Sequence, residues 1–237
     1  MREQQLNIPK VDTPDFIKNF INTAVCELRF PILLELEKDS PVKFHSKLRK
    51  DFPLFERRAS FNIGTESKES TYIFSSKDKK YKLTVKPASI SLETSHYTSF
   101  TNFYSLLKSV IKAANDFIDS TFYIRIGLRY IDKIPYDNSV KGWINNDMIT
   151  PLAIGEYGEP NAHWHIVRGS AQYGKYTFQY GLQESDKQEY ILDFDFYEES
   201  IDIKDAIKAV DSLHKESLAL FKWSIGEKSI NYLTGNT

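Results

Sequence analysis

Three arginines carry the most distinctive chemistry in this sequence. Arg29 lies in the stretch Ala24 to Phe30, and Arg125 and Arg129 lie in the stretch Phe122 to Asp132. In both stretches an apolar series (Cys26, Leu28, Phe30; Ile126, Leu128, Tyr130) alternates with a polar one (Glu27, Arg29; Arg125, Arg129). That is the period-two pattern of a half-buried strand, so the arginines face away from the core. A guanidinium presents planar donors that grip a carboxylate or phosphate at two points. The same alternation puts Glu27, Lys82, Thr84, Lys86, Glu93, Asp193 and Asp195 on that sheet face. Two readings follow. The face is either a ladder of opposite charges, each exposed pair contributing little, or a recognition surface in which Arg125 and Arg129 hold an anionic ligand. A nucleic-acid saddle would need a clear basic excess with interleaved aromatics. Glu27, Glu93, Asp193 and Asp195 oppose that, and a nucleic-acid partner is disfavoured.

His163 and His165 flank Trp164, placing two imidazoles on one side of a strand. With Asp193 and Asp195 from a neighbouring strand they would make a four-membered ligand set for a metal. The spacing is weakly specific, because strand histidines two apart are ordinary surface residues and nothing in the spacing defines a third and fourth ligand; the expected cofactor and metal content is none. His45, His96 and His214 read as ordinary helix or strand residues. Nucleophilic catalysis finds no motif: there is no Gly-x-Ser-x-Gly elbow, Gly-rich phosphate loop, His-Glu-x-x-His or Cys-x-x-Cys. Adjacent Glu198 and Glu199 would point to opposite sides of a strand end. The single cysteine, Cys26, lies on the apolar side of its strand and reads as a small core hydrophobe.

The elements that must position these residues are legible from periodicity and punctuation. Thr13 and Pro14 suit the start of a short helix running to Ile21. The strand from Ala24 to Phe30 ends at Pro31, and Phe44 and Leu48 mark a short amphipathic helix from Val42 to Asp51. Strands are expected at Phe55 to Ile63, Ser70 to Ser75, Lys80 to Lys86 and Ser89 to Ser95, with a charged turn at Lys77-Asp78-Lys79-Lys80. A long helix follows from Thr98 to Ile118, with a stripe of Phe100, Phe103, Leu106, Leu107, Val110, Ile111, Ala114 and Phe117. The order then repeats. Strand Phe122 to Ile131 leads to a short segment at Val140 to Asn146 with an apolar face of Trp143 and Ile144. Strands His163 to Gln172, Tyr176 to Gln183 and Glu189 to Tyr197 are joined by turns at Gly174 and at Glu184 to Lys187. A second long helix runs from Ile203 to Ile225 on Ile207, Val210, Leu213, Leu218, Phe221 and Ile225.

Residues 1–23 form a leading segment, 24–119 a first α+β module and 120–237 a second. Each module reads strand, short helix, three or four antiparallel strands, long helix, which predicts one curved antiparallel sheet with two long helices on one face. The order resembles the saddle of the TATA-binding-protein fold and related helix-grip folds, a likeness of topology that does not license function. A chain of 237 residues can bury its core without staples. With 31 basic and 32 acidic residues its net charge is -1, so no global field draws it to nucleic acid or an anionic membrane. Aromatics at 14% suit long, side-chain-rich sheets rather than disorder. No stretch of signal-peptide type opens the sequence and no apolar run is long enough to span a bilayer, so the expectation is a cytoplasmic protein that does not enter membranes.

Val25-Cys-Glu-Leu-Arg-Phe30, Phe52-Pro53, Thr94 to Phe100, and Arg125-Ile-Gly-Leu-Arg-Tyr-Ile-Asp132 followed by Trp143-Ile144 together resemble a sporadically distributed family of bacterial and archaeal proteins of uncharacterised function. The resemblance covers most of the chain, and the Arg125 to Asp132 segment is its most specific element. It carries over no catalytic residues. Patchy distribution implies mobile genes and hence a role in defence, toxin neutralisation or another gene-island system. The expected function is a non-enzymatic binding or accessory protein that recognises a protein partner or a small ligand through its sheet face or an exposed edge. A nucleic-acid-binding saddle and an enzyme with a site assembled from several strands are the alternatives, and the oligomeric state is left open.

Overall fold

The computed structural model of the chain describes residues 5–62, 67–149, 160–183 and 187–236, with the side chains of 37–38, 59–62 and 67–69 outside that description. The class is α+β. Nine strands lie in one sheet: β1 (Ile21–Arg29), β2 (Leu54–Asn62), β3 (Ser67–Ser75), β4 (Tyr81–Lys86), β5 (Ser89–Thr94), β6 (Phe122–Pro135), β7 (His163–Ser170), β8 (Lys175–Leu182) and β9 (Glu189–Asp202). Their spatial order is β2-β3-β4-β5-β1-β6-β9-β8-β7, and the pairs of described register are all antiparallel. The helices are α1 (Glu35–Lys38), α2 (Val42–Leu48), α3 (Phe100–Asn115), α4 (Ala206–Ser224) and α5 (Glu227–Thr234). None of the described helices is long and apolar enough to cross a membrane.

The residues divide into two compact units. The first comprises Met1–Asn22, Arg129–Phe196 and Ser212–Thr237, and the second Thr23–Leu128 and Tyr197–Asp211. In the second unit the alternation expected of β1 holds, with Cys26, Leu28 and Phe30 buried and Arg29 exposed. β4 and β5 add Leu83, Val85, Ile90 and Leu92 to the same core. Helix α3 starts where Ser99 accepts the Asn102 N–H at 3.3 Å, an N-cap that satisfies one of the first-turn donors. It buries Phe103, Leu107, Val110, Ile111 and Ala114 at three- and four-residue steps, whereas Leu106 and Phe117 are only half-buried. The charged turn between β3 and β4 forms as expected: Asp78 accepts from Ser76 Oγ, and Lys79 takes a left-handed φ of 59°.

The first unit departs from expectation in four places. Residues 14–21 do not form a helix. The backbone N–H groups of Ile17 and Lys18 both donate to the Leu233 carbonyl at 2.9 and 3.1 Å, and Phe20 is buried in a stack on Tyr232 with centroids 5.1 Å apart. Docking onto α5 therefore overrides the local Thr-Pro start signal, and β1 begins at Ile21. The segment from Val140 to Asn146 forms no α-helix either, and only a short 3₁₀ turn at Asn146–Met148 follows. Its backbone is tied instead to the end of α4: Asn145 N–H donates to Ser224 O at 2.9 Å, and Gly226 N–H donates to Trp143 O at 2.8 Å. That contact also explains why α4 stops at Ser224, close to the expected end at Ile225, and why a further helix, α5, which was not expected from the sequence, follows it. At Gly226 a Cβ would stand 2.3 Å from the Gly142 carbonyl oxygen, so the chain passes there only as glycine and restarts as α5. Finally, in α4 the buried stripe runs through Val210, Leu213, Ser217 and Leu220, while Ile207, Leu218 and Phe221 of the expected stripe are half-buried. Three residues of the expected turn at Glu184 to Lys187 lie outside the described residues.

Candidate functional site

The side chains singled out for the sheet face do leave the core, and they gather in two separate clusters. In the second unit Glu27 is the hub. Its carboxylate accepts from Arg29 Nε at 2.7 Å and from Arg125 Nη1 at 3.4 Å, while the Arg125 guanidinium lies over the Tyr197 ring at 4.4 Å. Gly127 makes this arrangement fit, because a Cβ there would stand only 2.3 Å from Arg125 Nη1. The glycine inside the Arg-Ile-Gly-Leu-Arg segment thus lets the guanidinium lie flat across β6. Between Tyr123 and Ile126, both buried, Ile124 and Arg125 turn outward in succession, so the simple alternation slips by one residue at this end of β6. Lys82 and Glu93, directly opposite each other on β4 and β5, close a further pair at 2.8 Å.

In the first unit Arg129 meets Asp193 through two parallel bonds, Nε to Oδ1 at 2.8 Å and Nη2 to Oδ2 at 2.5 Å. The Asp193 side chain is 6% exposed and that of Arg129 45%. The Asp193 bond first, with burial working against it and the charges of Asp193 and Asp195 adding to it, raises the arginine's affinity for its proton. Lys133 pairs with Glu189 at 3.2 Å. Beside Arg129 and Asp193 opens a shallow groove of about 460 Å³, lined also by Lys133, Trp164, Gln179 and Gln183. The indole N–H of Trp164 donates to Gln179 Oε1 at 3.2 Å. Across the ladder from Trp164 is Gly181. Removing Arg129 leaves a nearly buried carboxylate without its fork of donors. Arg129→Ala is expected to cost about 2 kcal/mol in urea unfolding. Adding Asp193→Asn should recover part of that loss, as a double-mutant cycle would show.

The histidines are not part of this face. His163 and His165 project to the core side of β7, where His163 stands 5.9 Å from the Tyr190 ring and His165 stacks on Tyr180 at 4.9 Å. Asp193 holds Arg129 on the opposite side, with β8 between the two strands. The two imidazoles and two aspartates therefore do not converge on one metal: strand parity separates them. Among the described residues no group of three or more His, Cys, Asp or Glu is placed to hold a metal ion. Burial first, and then the neighbouring His165, lowers the His163 pKa, so the neutral imidazole is favoured there. Cys26 is fully buried and burial, with the adjacent Glu27 charge, pushes its thiol up to about 12, which leaves no thiolate to act as a nucleophile.

One titratable group escaped the reading of the sequence. Asp132 ends the Arg125 to Asp132 segment and is 2% exposed, with its Oδ1 buried and unpartnered among the described residues. Burial, helped by the Asp193 charge, raises its pKa to about 8. The signal was present in the alternation: Leu128, Tyr130 and Asp132 share one parity, and the first two are core residues. No family model matches the chain, and no curated protein matches it.

Proposed function

We propose that this chain is a non-enzymatic binding protein, an accessory or immunity-type component that recognises a protein partner through the sheet face of its first unit. One observation carries the reading. The two cations that line the groove are matched within the chain, Arg129 by Asp193 and Lys133 by Glu189. What the groove offers a partner is therefore an aromatic and amide surface: Trp164 with Gln179 and Gln183. Tryptophan is enriched among residues that dominate binding energy, and fixed ion pairs beside it supply geometry and selectivity rather than net attraction. A polyanion would need unmatched cations in excess, which the pairing of these lysines and arginines works against.

The finer architecture belongs to the same proposal. Reading outward from β1 the order is β5, β4, β3, β2, and reading outward from β6 it is β9, β8, β7. Each series begins with the first strand of a module and ends with the second, which supports a tandem arrangement of the kind seen in TATA-binding-protein-like or helix-grip folds. The likeness to a sporadically distributed bacterial and archaeal family adds a setting in cytoplasmic defence or toxin neutralisation.

The test is capture of the partner from the native host by the tagged chain, with Trp164→Ala in parallel. Loss of one aromatic anchor is expected to lower recovery of the specific partner roughly tenfold or more. Equal recovery by the variant would remove the groove from the reading, and turnover of a substrate by the pure protein alone would remove the non-enzymatic assignment.

A further inference from the structure

We infer that the segment of the partner seated in the groove is a proline-rich stretch in the polyproline II conformation. It rests on the groove reading and names the chemistry of what fills the groove. Hydrogen-bonding groups left over after the chain's own contacts decide it. Arg129 gives Nε and Nη2 to the two Asp193 oxygens, and its Nη1 has no partner among the described residues. Gln179 accepts the Trp164 indole N–H on its Oε1, so what its amide still offers is the NH2 group. The acceptors beside them are taken. Each Asp193 oxygen already holds a donor of Arg129, on a side chain 6% exposed, and Glu189 accepts from Lys133. Next to the indole the groove therefore offers donors and an aromatic plane. Gln183, four positions further along the chain, adds an amide with both a donor and an acceptor.

Such a surface selects its occupant. An ordinary extended peptide brings an N–H with every carbonyl, and each N–H buried without an acceptor costs about 1–3 kcal/mol. Proline has no N–H. A run of prolines brings carbonyls to Arg129 Nη1 and the Gln179 NH2, leaves no backbone donor unmatched, and lays its rings on the indole of Trp164, which is 37% exposed. Its backbone is set in advance, so little ordering entropy is lost on binding. Charge agrees with this choice, because the two cations lining the groove are each neutralised within the chain and an uncharged segment needs no counter-ion there. Length agrees as well. From Gln179 to Gln183 the extended chain covers about 13 Å, the length of about four residues of polyproline II at ~3.1 Å each. All of these side chains belong to the first unit.

The probe is capped decaproline, titrated into the pure chain against a capped Gly-Ser peptide of the same length. The indole N–H resonance of Trp164, assigned by its absence from Trp164→Phe, is followed by NMR. Decaproline should shift that resonance and bind roughly tenfold or more tightly than the Gly-Ser peptide. Gln179→Glu keeps an oxygen to accept from the indole but replaces the NH2 donor by a second carboxylate oxygen. It should weaken decaproline binding roughly tenfold or more in a protein whose circular dichroism is unchanged. Equal affinity for the two peptides, binding that leaves the Trp164 resonance unmoved, or a folded Gln179→Glu protein that binds decaproline as tightly as wild type would overturn the inference. Trp164-dependent capture of a host partner, together with no preference for decaproline, would sink this inference alone and leave the groove reading standing.

Discussion

Replacing Gly181 by alanine is expected to destabilise the first unit by about 3 kcal/mol or more, a large part of the total stability of an ordinary domain. At this position φ is +152°, and an ideal Cβ would stand 2.0 Å from the His163 carbonyl oxygen and 3.1 Å from the Trp164 Cα. Both obstacles are backbone of β7, so no side chain can swing aside to relieve them. The φ value adds a second penalty, since L-residues rarely adopt that conformation. The strand pair from His163↔Leu182 to Ser170↔Lys175 must therefore part at its His163 end for the methyl group to enter. The functional consequence is local. β7 carries Trp164, so the groove should be lost before the core unfolds. Thermal unfolding and Trp164 fluorescence check the prediction together. A Gly181→Ala protein with unchanged melting and unchanged emission would refute the crowding argument.

Asp132 is expected to make the protein less stable as the solution becomes more basic. In the folded chain its carboxyl holds a proton up to about 8, against a usual value of 3.8. Folding therefore takes up a proton between those values. The stabilising contribution is complete on the acid side of the usual carboxyl range and falls away as pH rises through about 8, because the unfolded chain can ionise freely and the folded one must bury the charge. The unpartnered Oδ1 and the nearby Asp193 carboxylate act in the same direction. Urea unfolding measured from pH 5 to pH 9 should show a decline on the order of 2–4 kcal/mol attributable to this group. Asp132→Asn, which has no proton to gain or lose, should flatten that part of the profile whatever its effect at a single pH. Parallel profiles for the two proteins would show that the carboxyl is not buried as described.

The sheet was legible because its strands obey simple rules. β1, β4, β5 and the middle of β6 alternate cleanly, and Pro31, Pro53 and Pro87 punctuate them, so both the elements and the outward direction of Arg29, Arg125 and Arg129 could be read directly. Failures fell where distant contacts outweighed local preference. The Thr13-Pro14 start signal lost to the Leu233 carbonyl and the Tyr232 ring, and the unexpected helix α5 starts after Gly226, where a carbonyl of Gly142, more than 80 positions earlier in the chain, leaves no room for a side chain.

By itself the sequence determined the class, the strands and the two long helices, the burial of Cys26 and Leu28, and the outward side of Arg29, Arg125 and Arg129. These follow from periodicity, which depends on backbone geometry alone. Only the tertiary structure decided which charges meet. Arg125 finds Glu27, 98 positions away, and Arg129 finds Asp193, 64 positions away, because strand order brings β1, β6 and β9 side by side. Strand order likewise put β7 at one end of the series, with β8 between it and β9, and the register of those pairs turned His163 and His165 to the side away from Asp193. Long-range pairing depends on which surfaces bury best against each other, and no local pattern records that.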